Sequence, residues 1–280
     1  MLLATCLALG SAVLHAGWNL AAKRADGDRI VVLWAQFAVA GAIAAVLLVG
    51  HIAATGGMAT GAYGWAALSG LVHLPYLWLL ALAYTYGDFS VSYPLARGGG
   101  AALAAVLGVA LLGDHLGPGE ITGVAIVVGG LALLSWGATP RGVGLALTVA
   151  ATIGAYTIID AQGARSSGSA AYVLASFVAT ACTMSVAGVV TGRGAAFVDM
   201  LRAQWRRALV TAVMAIVTYG MVLVAVRHAA VGYVAALRES SVVLGALAGW
   251  RLLGEGDHRR RIAAALVVLA GLVTLVTAGL

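Results

Sequence analysis

Along the whole chain, apolar runs of about 20 residues alternate with short breaks that carry charge, glycine or proline. Each run is long enough to cross about 30 Å of hydrocarbon as a helix. None shows the alternation of period two that a membrane β-strand requires, so a barrel is excluded. The breaks predict ten spans, at residues 2–22, 30–53, 63–86, 89–113, 119–137, 142–162, 171–191, 208–226, 231–253 and 262–279. The expected fold class is an all-α membrane protein with ten transmembrane helices. The first run has no basic segment before it and is longer than a signal-peptide core, so it reads as the first span.

The same pattern repeats. Tyr93-Pro94-Leu95-Ala96-Arg97-Gly98-Gly99-Gly100, leading to Leu111-Leu112-Gly113-Asp114, returns 141 residues later. The second copy reads Val234-Ala235-Ala236-Leu237-Arg238-Glu239-Ser240-Ser241, leading to Leu252-Leu253-Gly254-Glu255. Between Arg97 and Leu134, 12 of 38 aligned positions are identical to their partners, which marks an internal duplication. The spans divide five and five at Thr139-Pro140-Arg141, giving repeats at residues 1–138 and 142–280. A unit with an odd number of spans enters the bilayer the opposite way in its second copy, so the fold is expected to be two inverted five-helix repeats around a site near the midplane.

Composition strengthens this picture. The chain is 62% hydrophobic and 9% charged, with a mean hydropathy of +1.01; a soluble domain is about 45–50% apolar and about 25% charged. The net charge of +6 does not point to nucleic acid, because the basic residues fall in short loops. Alternate loops, beginning with the first, hold 12 of them: Lys23, Arg24, Arg29, Arg141, Arg193, Arg202, Arg206, Arg207, Arg251, Arg259, Arg260 and Arg261. The other side holds only Arg165 and Arg227. The positive-inside rule therefore puts loops 1–2, 5–6, 7–8 and 9–10 in the cytoplasm of a bacterial inner membrane, with both termini outside. Cys6 and Cys182 lie far apart in separate spans and read as buried, inert thiols. Glycine accounts for 38 of 280 residues. The spaced pairs Gly119/Gly123, Gly245/Gly249 and Ala104/Gly108 predict close helix approaches. The last two pairs are expected to oppose each other where spans four and nine cross.

Ionisable groups inside a span are costly and normally face a cavity or a partner. Arg97 and Arg238 occupy one repeat position, so inversion would bring both to a shared hollow suited to a carboxylate, phosphate or phosphonate. The competing reading is local neutralisation, Arg238 by Glu239 for instance. Tyr93 and Glu239 accompany them as substrate-binding candidates. Pro94, Gly98, Gly99 and Gly100 are expected to weaken or kink span four, placing any hinge mainly in the first half. His15, Trp18 and Asn19 share one helical face, and Tyr156 and Asp160 stand at the matching positions of span six. His15, Asp160 and Glu239 are the proton-coupling candidates. His73, Tyr76, Leu80 and Tyr84 share a face of span three, and His73 and Tyr76 join the substrate-binding set. The cluster from Glu255 to Arg261 reads as a solvated loop. No HExxH, GxSxG or Walker motif occurs, so an intramembrane enzyme is disfavoured and no metal or cofactor is expected. A channel or structural membrane subunit is disfavoured by the duplication and by the lack of a filter-like motif.

The residues His15-Ala16-Gly17-Trp18-Asn19 with Lys23, Ser92 to Gly98, Ala155 to Asp160, and Arg238 to Ser241 resemble the drug/metabolite transporter superfamily, in particular its ten-span EamA-type permeases. The likeness covers nearly the whole chain. That family commonly has Glu where Asp114 stands, and often a proline where Ala101 stands. The resemblance implies an inverted-repeat carrier whose cavity is formed largely by spans one, three, four, six, eight and nine. On this reading the chain is a secondary transporter that moves a small polar or anionic metabolite, such as an amino acid or other organic acid, by alternating access. It would act in the lipid bilayer as a monomer or homodimer, with H+ or Na+ as the coupling ion.

Overall fold

The computed structural model describes residues 2–112, 117–167, 170–225, 228, 234 and 237–278. Gly113 and Asp114 of the first repeat motif, Arg227, and most of the expected start of span nine, residues 231–233 and 235–236, lie outside them. Ten helices occur among the described residues: α1 (Leu2–Lys23), α2 (Arg29–Thr55), α3 (Thr60–Tyr86), α4 (Phe89–Leu112), α5 (Pro118–Ser135), α6 (Pro140–Ser167), α7 (Ala170–Val190), α8 (Gly194–Ala225), α9 (Ser241–Leu253) and α10 (His258–Ala278). Seven of them (α1, α2, α3, α5, α6, α7 and α10) are long and apolar enough to cross a membrane by length and composition.

Local chemistry sets the ends. Asp28 starts α2 by accepting the Ile30 N–H at 2.8 Å, and Gly56, at φ 80°, closes it in the left-handed conformation that glycine adopts without strain. Pro118 and Pro140 open α5 and α6 at the position where a missing N–H costs nothing. Outward-facing Thr148, Thr191, Thr274 and Thr277 each donate to the carbonyl four residues back. Their hydroxyls are thereby satisfied without water.

Packing pairs the helices in a pattern that survives exchange of α1–α5 with α6–α10. Helix α5 packs on α10, α2 on α7 and α4 on α9; α1 packs on α8 as α6 packs on α3; α2 packs on α8 as α7 packs on α3. The α5/α10 crossing shows the exchange atom by atom. A Cβ on Gly130 would meet Val268 and the Ala264 carbonyl, and a Cβ on Gly271 would meet Val127 and the Gly123 carbonyl. These contacts exchange under the 141-residue shift, as in a two-fold interface. Their register runs backwards, Gly119 against Ala278 and Gly123 against Leu275. The two helices are therefore antiparallel, related by an axis across them rather than along them.

Several expectations need correction. The run Gly98-Gly99-Gly100 does not unwind, and α4 is continuous through Pro94. Those glycines instead admit three neighbours, Val268 of α10, Ala150 of α6 and Ile153 of α6, because successive helical positions point about 100° apart. The interruption lies in the second half: residues 237–238 are helical, Glu239 and Ser240 form a turn, and α9 starts at Ser241. Gly245 and Gly249 do pack on α4, but against Tyr93 and Ser90 rather than Ala104 and Gly108. Antiparallel register matches the late part of α9 with the early part of α4. Helix α8 begins at Gly194, well before residue 208, with non-helical dihedrals at Gln204, so Arg202, Arg206 and Arg207 lie on a helix and not in a loop. Its first turns are held by Phe197, stacked on Trp34 at 4.0 Å. Cys6 and Cys182 are free thiols exposed on the protein's outer surface rather than buried within it.

The cluster after α9 is also not a solvated loop. Glu255 accepts the Phe89 N–H at 2.6 Å and the Ser90 N–H at 2.8 Å. It thus caps the start of α4, where a carboxylate complements the free donors and the helix dipole. Arg261 donates to Ser90 Oγ and Asp88 Oδ2, each at 2.7 Å. Only 8% of either the Glu255 or the Arg261 side chain is exposed. Nearby, Lys23 donates to the carbonyls of Tyr84 and Gly87 at 2.8 and 2.6 Å, and Arg24 to that of Leu252 at 2.5 Å. At the end where α1 stops and α4 begins, the bonds of Arg24, Glu255 and Arg261 cross between the two halves.

Candidate functional site

Between the halves lies a hollow of two adjoining chambers that share Tyr156 of α6 and Tyr219 of α8. The first is lined mainly by rings: His15 and Trp18 of α1, Phe37 of α2, His73 and Tyr76 of α3, and Phe177 of α7. Ser176, Thr180 and Thr218 add hydroxyls to its wall. The second holds Arg97, Asp160, Arg238 and Glu239.

Repeat-equivalent residues converge on both chambers. His15 and Tyr156, 141 positions apart, line the first; Arg97 and Arg238, also 141 apart, line the second. The rings brace one another: His73 stacks on Tyr156 with centroids 4.3 Å apart, Tyr76 meets Tyr156 edge-on at 5.3 Å, and His15 meets Trp18 edge-on at 5.2 Å. Stacked and edge-to-face pairs of this kind fix ring positions beyond what burial alone does.

The charges do not fall as the sequence suggests. Glu239 pairs with Arg97 of the other half, Nη2 to Oε1 at 2.7 Å, each side chain 12% exposed. Arg97 Nε and Glu239 Oε2 are buried with no hydrogen-bond partner among the described residues. The hollow therefore does not present two free guanidiniums. Asp160 Oδ1 accepts from the Tyr172 hydroxyl of α7 at 2.8 Å.

Two candidates stand behind the hollow rather than in its wall. Asn19 is 1% exposed, donates to the His15 carbonyl at 2.8 Å and accepts from the Tyr84 hydroxyl at 2.7 Å. The Tyr93 hydroxyl lies 2.8 Å from His15 Nδ1. Both hold His15 in place. Tyr84 and Leu80, on the same face of α3 as His73 and Tyr76, lie further along it in the packed core. Phe37, Ser176, Phe177, Thr180, Thr218 and Tyr219 were not indicated by the sequence. Helices α2 and α7 carry no charged residue at these depths to draw notice, and Phe37 and Phe177 show only as a pair, with centroids 6.1 Å apart across the antiparallel α2/α7 contact.

No curated protein matches this chain. Residues 140–277 match the family model described as "EamA-like transporter family". A solved structure described only as "Crystal structure of protein" superposes with a TM-score of 0.61 at 17% identity, covering 98% of this chain and 97% of its own. At that identity the likeness concerns the fold alone.

Proposed function

Residues 140–277 match the EamA-like transporter family model, and from that likeness we propose that this chain is a secondary active transporter of a small polar or anionic metabolite with an apolar body, such as an amino acid or another organic acid. The observation that carries the reading is the convergence of His15 with Tyr156 and of Arg97 with Arg238 on one hollow between the halves. Rings on one side and compensated charges on the other suit a ligand with one apolar and one ionic end.

The two halves, residues 1–138 and 142–280, are read as inverted five-helix repeats that rock about this hollow. The antiparallel register of α5 on α10 and the exchangeable helix pairings support that reading. The basic end of the molecule is assigned to the cytoplasm of a bacterial inner membrane. The bonds of Lys23, Glu255 and Arg261 lie at that end, and the chamber with Arg97 and Asp160 lies further along α4 and α6, away from it. The conformation is accordingly read as closed toward the cytoplasm. Counterflow of labelled amino acids and organic acids in proteoliposomes tests the assignment. Saturable exchange is expected for at least one of them, and Arg97→Gln and Arg238→Gln are each expected to abolish it while folded protein remains. Absence of saturable exchange across the panel, or normal exchange in both variants, would overturn the assignment.

A further inference from the structure

Among the described residues, the charged chamber contains two cations and two anions, Arg97 and Arg238 against Glu239 and Asp160. His15 and His73 line the other chamber, His15 against the Tyr93 hydroxyl and His73 against the Ser69 carbonyl. The chamber is then balanced when empty. In a low-dielectric site an added carboxylate would leave one uncompensated negative charge, and such charges are strongly disfavoured. The pair itself shows where balance can be restored. Arg97 and Glu239 make one contact, leaving Nε and Oε2 buried without partners among the described residues. A guanidinium offers a two-pronged fork that a carboxylate can fill completely. Glu239 also stands on the turn before α9 rather than within a regular helix, so it can withdraw without unwinding a span.

We propose that Glu239 is a place-holder for the substrate's carboxylate on Arg97, and that a proton taken up by Glu239 exchanges it for the substrate, making the carrier bind one carboxylate together with one proton. The inference rests on the transporter reading above and adds the coupling ion and the group that takes it. The proton comes from the aqueous side to a Glu239 oxygen, the ion pair gives way to a neutral carboxyl, and the substrate carboxylate takes both arms of Arg97. Net charge in the chamber is zero before and after. Titratable and charged groups around Glu239 among the described residues are Arg97 and Tyr93 of α4, Asp160 and Tyr156 of α6, Tyr219 of α8, and its own neighbour Arg238. Asp160 is already engaged by the Tyr172 hydroxyl and takes no part in the exchange. The sign follows from linkage: the bound state carries one more proton than the empty state, so carboxylate affinity rises as pH falls.

Benzoate is a suitable probe, with its benzamide analogue as the uncharged control, and binding to the purified protein is read by isothermal titration calorimetry. Between about pH 6 and 8 benzoate remains ionised. Its affinity for the wild type is expected to rise by up to about tenfold per pH unit of acidification, and one proton per benzoate is expected to leave a weakly buffered solution. Glu239→Gln should bind benzoate at least as tightly as the wild type at low pH, with no pH dependence, and Arg97→Gln should not bind it at any pH. Binding by the wild type without proton uptake overturns the proposal, as does failure of a folded Glu239→Gln protein to bind benzoate. If Glu239→Gln does not fold, the proton count on the wild type decides alone. Loss of counterflow would sink the transporter reading, whereas counterflow with no proton uptake would sink only this coupling.

Discussion

Tyr84 is fully buried, and its hydroxyl ends on Asn19, which in turn holds the backbone at His15. Tyr84→Phe removes the donor and leaves Asn19 Oδ1 buried and unpaired, so a loss of about 1–2 kcal/mol is expected, read as a lower unfolding midpoint in detergent. If the midpoint is unchanged, this bond is not supporting α1. Glu255 has more at stake, because two backbone donors and the Arg261 guanidinium converge on it. Glu255→Ala is expected to cost about 2–4 kcal/mol, and Glu255→Gln less, since a neutral amide oxygen still accepts one bond. Equal midpoints for the two variants would show that the capping bonds contribute nothing. At this scale the sequence showed polar residues in costly places but not their partners. Arg238 and Glu239 are chain neighbours, yet Glu239 turns to an arginine 142 positions away.

At the scale of elements, glycine sets how closely helices approach. A Cβ on Gly123 would fall 2.5 Å from the Leu275 nitrogen, a backbone atom that cannot move without shifting α10. Gly123→Ala is therefore expected to destabilise by about 1–3 kcal/mol. Gly129, on the same helix, has nothing within 4 Å of the added atom, so Gly129→Ala should be neutral or stabilise by up to about 1 kcal/mol through helix propensity. Comparable unfolding midpoints for the two variants would refute the packing argument. The pair Gly119/Gly123 was legible because small residues four apart form a groove on any helix. The partner of Gly245/Gly249 was not, because spacing defines a groove and leaves open which part of the opposing helix fills it. The break at Glu239 was equally hidden: glycine and proline mark span four more strongly, but packing by Val268, Ala150 and Ile153 keeps α4 helical there.

For the whole molecule, orientation and conformation can be read together. With Cys6 and Cys182 replaced by Ser, Thr157→Cys in the charged chamber is expected to react with a membrane-impermeant thiol reagent added outside intact cells. Ser90→Cys, under the Glu255 cap, is expected to stay protected from it. Reaction of Ser90→Cys from outside, with Thr157→Cys protected, would reverse the assignment of both the open end and the cytoplasmic face. Weakening the closure with Glu255→Gln should reduce Thr157→Cys labelling as the population shifts toward the other state.

The sequence by itself determined that the chain spans a membrane as helices, that its pattern repeats after 141 residues, and that an arginine recurs at one position of that repeat. These are properties of hydropathy and of residue order, which solvent transfer energies and chain direction make local. Tertiary structure alone decided which charge meets which, that α2 and α7 bring Phe37 and Phe177 into the ring-lined chamber, and that the segment after α9 locks onto the start of α4. Each of these depends on contacts between residues more than a hundred positions apart, chosen by the antiparallel fit of small residues against backbone, and nothing in the neighbourhood of either partner encodes the other.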